Sequence, residues 1–300
     1  MTSLQRTIAS EVVLEGVGLH SGLPARIHVA PAPASSGIVF LVKGRSARIH
    51  ARSGNVLDSH YATTLGDAGC RVQTVEHLIA AAAGLGVDNL EITVDGPEIP
   101  AVDGSAAPFV EVLQSAGEIA LAERRRPLLI QRVVRVGTDG RWLQVIPSDA
   151  FRISYTLESN HPAVGTQVFS CTPSTDLFVK DIAPARTYGF LQDVGELRRR
   201  GLARGGSLAN AVVVGKRTVL NGLRFSDEFV RHKVLDLIGD LALLGRPMIG
   251  HVIARNAGHA LNLDLVTAIE HAHPAGDRTA VNGHDAADSD VVHARSFAAL

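Results

Sequence analysis

The stretch Thr74-Val75-Glu76-His77-Leu78-Ile79-Ala80-Ala81-Ala82-Ala83-Gly84-Leu85-Gly86-Val87-Asp88-Asn89-Leu90-Glu91-Ile92-Thr93-Val94 changes its periodicity halfway along. Thr74 can cap a helix, Val75, Leu78, Ile79 and Ala82 recur at helical spacing, and Gly84 and Gly86 stop the turn. Leu90 to Val94 then reads as a strand. Upstream, residues 10–50 alternate apolar and polar, as in Ala25-Arg26-Ile27-His28-Val29, with Gly16, Gly18, Gly22, Pro31 and Pro33 as punctuation. That is the pattern of short antiparallel strands joined by turns. Downstream, a turn-rich segment leads to a second helix from Ala107 to about Ala116, ended by Gly117.

Glu123-Arg124-Arg125-Arg126-Pro127 marks a boundary, after which the same order returns. Strands are expected at 128–136, 142–146, 152–157, 211–214 and 249–254, and helices at 226–244 and 260–271. The expected fold is α+β: two similar two-layer α/β sandwiches packed face to face, with small inserts. Residues 1–123 form the first domain and 127–272 the second, with an insert at about 170–210. Residues 273–300, including His273, His284 and His293, lack periodicity and read as a mobile, chemically inert tail.

At 300 residues, with 46% apolar and 20% charged side chains, the chain can bury a large core. Lys and Arg number 29 against 30 Asp and Glu, a formal charge of −1, which excludes the basic footprint of a general nucleic-acid binder. Two cysteines, Cys70 and Cys171, supply neither a disulfide framework nor a four-thiolate metal site. The first ten residues lack the apolar core of a signal peptide, and no uncharged apolar run reaches membrane-spanning length. A cytoplasmic, monomeric protein without an integral membrane segment is expected.

Three places carry candidate chemistry. In the helix from Ser226, which offers an N-cap, His232, Asp236 and Asp240 fall at i, i+4 and i+8 and share one face. That spacing suits metal ligation, and it equally suits a solvated face with a weak His–Asp pair. Glu76 and His77 point about 100° apart on their helix, so one can ligate a metal while the other reaches a water beside it. A helix-terminal Glu beside a half-buried His is the alternative; neither H-E-x-x-H nor H-x-x-E-H is present. His259, in Gly258-His259-Ala260, stands where a loop residue can aim into a cleft, or serve as a structural histidine like His20, His161 and His251.

Six runs occur in order between about residues 4 and 271: Gly16-Val17-Gly18-Leu19-His20-Ser21-Gly22; Thr74-Val75-Glu76-His77-Leu78; Pro97-Glu98-Ile99-Pro100-Ala101-Val102-Asp103-Gly104-Ser105-Ala106; Arg186-Thr187-Tyr188-Gly189-Phe190; Phe229-Val230-Arg231-His232-Lys233-Val234-Leu235-Asp236; and Gly258-His259-Ala260-Leu261-Asn262. Together they resemble the UDP-3-O-acyl-N-acetylglucosamine deacetylases, zinc enzymes of lipid A synthesis. The resemblance implies Zn2+ held by His77, His232 and Asp236, three ligands that leave a fourth position open. It implies Glu76 as general base and Thr187 with His259 at the oxyanion, Asp240 keeping His259 charged. Lys233 is implied to contact substrate, an acylated UDP-amino sugar.

The resemblance also implies an apolar acyl passage over 190–214, where Tyr188, Phe190, Ala203, Gly206 and Ala211 meet the substrate. Asn256 stands where the family often has a nucleotide-contacting lysine, so Arg255 or Arg141 is the expected replacement. Near residue 62, where some members have a cysteine able to hold an extra metal, the sequence is Ala62-Thr63-Thr64, and Ala209 replaces an often acidic residue. A zinc amidohydrolase for another acylated amino sugar, which would differ in chain-length preference, and a silent sugar-nucleotide or acyl-binding protein are the alternatives. Retention of Glu76 argues against the silent binder, which needs no base.

Overall fold

A computed structural model describes residues 3–66, 69–274 and 292–293. One five-stranded sheet has the order Val12–Val17, Pro24–Pro31, Leu90–Asp95, Ile38–Val42, Arg48–His50. It is antiparallel except where Ile38–Val42 runs beside Leu90–Asp95. Helices α1 (Glu76–Leu85) and α2 (Ala107–Ser115) belong to the same half. The second large sheet has the order Thr166–Cys171, Phe151–Glu158, Met248–Arg255, Arg141–Ile146, Val134–Thr138, Val292–His293, and Leu128–Leu129 also pairs with Met248–Arg255. The α+β class expected from the alternation is the class observed. Of the expected tail, His273 is buried, with Gln131 N donating to its Nε2; residues 275–291 and 294–300, His284 among them, lie outside the described residues.

Four further α-helices bring the α-helices among the described residues to six: α3 (Thr175–Leu177), α4 (Leu191–Arg199), α5 (Glu228–Leu241) and α6 (His259–Ala272). The strands alternate as their sequence demands. In Met248–Arg255 every second residue is buried, and Val252 and Ala254 join Leu143, Val145, Ile153 and Tyr155 in the core. Helices α5 and α6 pack on this sheet and α1 packs on α5, so α5 has almost no exposed side and is buried even at Asp236 and Asp240.

Two caps differ from the sequence reading. Thr74 sits at φ 60° and donates its hydroxyl to Glu98 Oε1 (2.8 Å) instead of capping α1, whose first residue follows Val75. α5 begins after Asp227 without a side-chain cap from Ser226. Both helices are fixed by tertiary partners, which outweigh a cap of about 1 kcal/mol. At the C-terminal ends, Gly86 closes α1 in the left-handed conformation, φ 72°, while Gly84 lies inside the helix; α5 ends at Leu241, short of the expected 244, and Gly245, φ 66°, closes the 3-10 turn Ala242–Leu244 that follows.

The α1–α5 contact depends on Gly239, where a Cβ would overlap the backbone of Glu76. Gly239→Ala is therefore expected to cost about 1–3 kcal/mol through overpacking and to push Glu76 out of place. A lowered Tm together with lost turnover checks this; wild-type values for both would reject the contact as a constraint.

Candidate metal centre

α5 and α1 meet so that His232 and Asp236, one turn apart on α5, face His77 on α1. His77 Nε2 lies 3.5 Å and His232 Nε2 3.3 Å from Asp236 Oδ1, and one donor atom from each residue falls within 4.8 Å of the others. The two imidazoles stand edge to face, centroids 5.0 Å apart. His232 donates from Nδ1 to the Ala185 carbonyl (3.0 Å), which leaves Nε2 as a free lone-pair donor. Asp236 accepts from Lys233 Nζ through Oδ2 (2.7 Å), while its buried Oδ1 has no hydrogen-bond partner. A buried carboxylate oxygen left bare costs stability unless something else satisfies it. Two imidazole nitrogens and that oxygen form a donor set that fits a divalent cation of borderline softness.

The electrostatics agree. Burial pushes the His232 imidazole down to about 4, keeping it neutral as a ligand must be. Burial works against ionisation of Asp236, but His232, Lys233 and His259 outweigh it and hold its carboxyl well below the usual range.

Beside this cluster lies a second one, built of carboxylates and His259. His259 opens α6 after Gly258 and donates from Nδ1 to Asp240 Oδ2 (2.8 Å); its Nε2 stands 3.9 Å from Glu76 Oε1 and 3.8 Å from Asp236 Oδ2. Burial disfavours the imidazolium, yet Asp240 and Asp236 raise the group to about 10. Glu76 is buried, and burial lifts its carboxyl above the ordinary range even though His259 and His77 pull it down. One carboxylate poised upward beside a charged imidazole is an acid–base pair.

Sequence reading missed the residue that joins these groups. Thr63 donates its hydroxyl to Asp240 Oδ1 (2.6 Å) and its backbone N–H to Glu76 Oε2 (3.0 Å), so one residue orients both carboxylates. Asn262 adds a bond from Nδ2 to Asp240 Oδ2 (2.8 Å). Thr63 lies in an irregular segment, and only its place beside Ala62 in a departing motif pointed there. Glu98 was likewise passed over: fully buried, it accepts from His20 N, Ser21 N and Thr74 Oγ1 and fixes the Gly18–Gly22 turn.

Thr187 follows Arg186, two residues beyond the carbonyl that holds His232. Its own N–H donates to Gly104 O (2.7 Å). Arg186 makes a two-point contact with Glu228 (2.8 and 3.1 Å), itself fully buried at the start of α5. Arg186→Ala would leave that carboxylate unpaired, and a loss of about 3–5 kcal/mol is expected. Denaturant unfolding measures it, and a loss under about 1 kcal/mol would refute the anchor.

Of the expected substrate residues, Lys233 and Tyr188 adjoin the centre. Lys233 Nζ lies 5.9 Å from the Tyr188 ring, and that ring packs on Phe229 (4.9 Å) and faces His232 (6.3 Å). Phe190 lies against His161, ring centroids 5.4 Å apart and the planes tilted by 60°. The insert docks on the Gly18–Gly22 turn: Ala203 N lies 3.4 Å from His20 Nδ1 and Gly205 N donates to Leu19 O, with Gly206 N bonded back to Ala203 O. Ala211 stands at the start of Val212–Val214, its carbonyl bonded to Asn221. Asn256, at φ 48°, binds the Glu158 N–H and the Gly140 carbonyl, so its side chain holds a turn. Arg255 pairs with Glu158, and Arg141 donates to the Asn256 carbonyl (3.2 Å); neither touches the central cluster.

The family profile described as UDP-3-O-acyl N-acetylglycosamine deacetylase (LpxC) matches residues 5–271. A UDP-3-O-acyl-N-acetylglucosamine deacetylase of Myxococcus xanthus (strain DK1622) is 48% identical over 269 residues, 88% of this chain and 86% of that protein. Proteins of the same name are similar from Anaeromyxobacter sp. (strain Fw109-5), 46% identical with 88% of each chain covered, and from Acidithiobacillus ferrooxidans (strain ATCC 53993 / BNL-5-31), 45% identical over 88% of this chain and 89% of that one.

Proposed function

The chain belongs to the UDP-3-O-acyl N-acetylglycosamine deacetylase family, and on that premise we propose that it hydrolyses the N-acetyl group of UDP-3-O-(hydroxyacyl)-N-acetylglucosamine, releasing acetate in lipid A biosynthesis, with zinc held by His77, His232 and Asp236. The observation that carries this reading is the bare, buried Asp236 Oδ1 facing two imidazole nitrogens, beside a Glu76–His259 pair.

When bound, zinc supplies Lewis acidity and makes an attacking water acidic enough to ionise near neutral pH. Glu76, held by the Thr63 N–H, takes the water's proton as it adds to the acetamide carbonyl. Charge that develops on the carbonyl oxygen meets the Thr187 hydroxyl and the His259 imidazolium. His259, kept protonated by Asp240, then gives its Nε2 proton to the departing amine. Lys233 orients Asp236 through Oδ2 and presents a cation to the substrate; Tyr188, Phe190, Ala203, Gly206 and Ala211 line the acyl chain's path, and Arg141 stands near the nucleotide. The proposal extends to a monomeric enzyme acting in the cytoplasm. Among the described residues no helix is long and apolar enough to cross a membrane.

The test joins two measurements on the purified protein, bound metal per chain and acetate released from the UDP-linked substrate. One zinc per chain and release that stops on chelation and returns with zinc are expected. Full release from metal-free protein would overturn the reading.

A further inference from the structure

Behind α5, on the side away from the metal ligands, lies a cavity of about 420 Å3. Its wall residue Ile238 falls about 200° around the helix from Asp236, and no residue of the catalytic cluster lines it. The floor is apolar: Val87, Phe178, Ile238, Leu241 and Met248 are all buried. The mouth is cationic. Arg52, Arg246 and the Arg125–Asp88 pair line it and continue into an adjoining depression of about 340 Å3, which adds Arg126 and Glu123. Asp88 is already engaged by Arg125 (2.9 Å). Neither Arg52 nor Arg246 has a carboxylate within ion-pair distance among the described residues. Arg52 is also held in place: Nη1 donates to the Leu244 carbonyl (2.7 Å), and the guanidinium lies over Gly245, where a Cβ would collide with it.

We propose that this cavity is a second small-molecule site, which takes a single-chain amphiphile with its aliphatic body on the apolar floor and its anionic head, a carboxylate or a phosphate, between Arg52 and Arg246. Its size falls within the range of small-molecule sites, ~300–1,000 Å3, and a mainly apolar wall with few polar groups is their usual make-up. Each methylene taken out of water there favours binding. A held guanidinium with donors to spare is matched to an oxyanion, which it binds through two parallel bonds at little ordering cost. The cavity is separate from the acyl path beside Tyr188 and Phe190 and shares no residue with it.

The full-length zinc-loaded protein is titrated calorimetrically with dodecanoate, dodecyl phosphate and dodecanol, in the wild type, in Arg246→Glu and in Ala83→Trp. Arg246 and Ala83 are exposed residues at the cavity, outside the catalytic machinery, so unchanged turnover and Tm verify each fold. The site predicts that both anions bind, that Arg246→Glu weakens them at least tenfold, and that Ala83→Trp, which fills the cavity, removes the same binding event. The tighter anion identifies the head. Anion affinity unchanged in both variants, or dodecanol binding as tightly as the anions, overturns the proposal; the first result places the probe elsewhere, the acyl path included. Failure here leaves zinc content and acetate release untouched, so it is distinguishable from failure of the deacetylase reading.

Discussion

Glu76→Gln is expected to retain one zinc per chain while deacetylation falls by about 10²–10⁴-fold, the usual contribution of a positioned general base. The amide keeps the shape of the carboxylate and can still accept from Thr63 N–H, which lies 3.0 Å from Oε2. What it loses is the capacity to take a proton. His232→Ala is the contrasting case: it removes a donor atom 3.3 Å from Asp236 Oδ1, and both metal and activity should disappear. Metal analysis beside acetate release separates the two variants. If Glu76→Gln turned over like wild type, the base would have to be another group; if His232→Ala kept its zinc, the ligand set would be wrong.

These assignments were open to sequence reading to very different degrees. The strands in the second half appear within a residue or two of expectation wherever alternation was strict, as in Arg141–Ile146 and Phe151–Glu158. The stretch expected at 128–136 is instead two strands, Leu128–Leu129 and Val134–Thr138, because apolar content alone does not reveal a break in pairing. Thr166–Cys171 was not recognised, although its residues alternate between exposed and half-buried. On spacing alone, His232, Asp236 and Asp240 were compatible with a solvated face; all three are instead buried against α1 and α6. Helical periodicity reports which residues share a face, but what that face meets is a tertiary fact. The six collinear runs raised these residues above the alternative because resemblance carries tertiary information that periodicity lacks.

Thr63 and Gly239 show the limit from the other side. Neither has a chemistry that marks it in sequence. Thr63 matters because its hydroxyl and its N–H reach two carboxylates that lie 13 and 177 residues away. Gly239 matters because α1 approaches too closely for any side chain. Thr74 and Ser226 fail as caps for the same reason: Glu98 and the Arg186–Glu228 pair organise the helix entries, so local propensity was overruled by buried charge.

Asp240→Asn should leave zinc in place and move the basic limb of the pH–rate profile to lower pH, with turnover at pH 7.5 down by about 10²-fold, the low end of an acid's contribution. The geometry favours retention of structure. An Asn oxygen in the place of Oδ2 still accepts from His259 Nδ1 and Asn262, both 2.8 Å away, and an Asn NH2 in the place of Oδ1 can donate to the Thr63 hydroxyl, now turned to accept. The charge is what goes. Burial opposes the His259 imidazolium, and Asp240 is the first of the groups that lift it to about 10, ahead of Asp236 and Glu76. Without Asp240 the opposing effect of burial gains, and the group falls from about 10 toward the ordinary ~6.5 of imidazole. A raised pKa means the acid is lost as pH rises through it, so lowering that value removes the proton donor from neutral solution while activity at acidic pH is spared. Profiles of kcat/KM for wild type and variant, with zinc measured at each pH, read this directly. A variant whose basic limb coincides with that of the wild type would show that Asp240 does not hold the proton on His259.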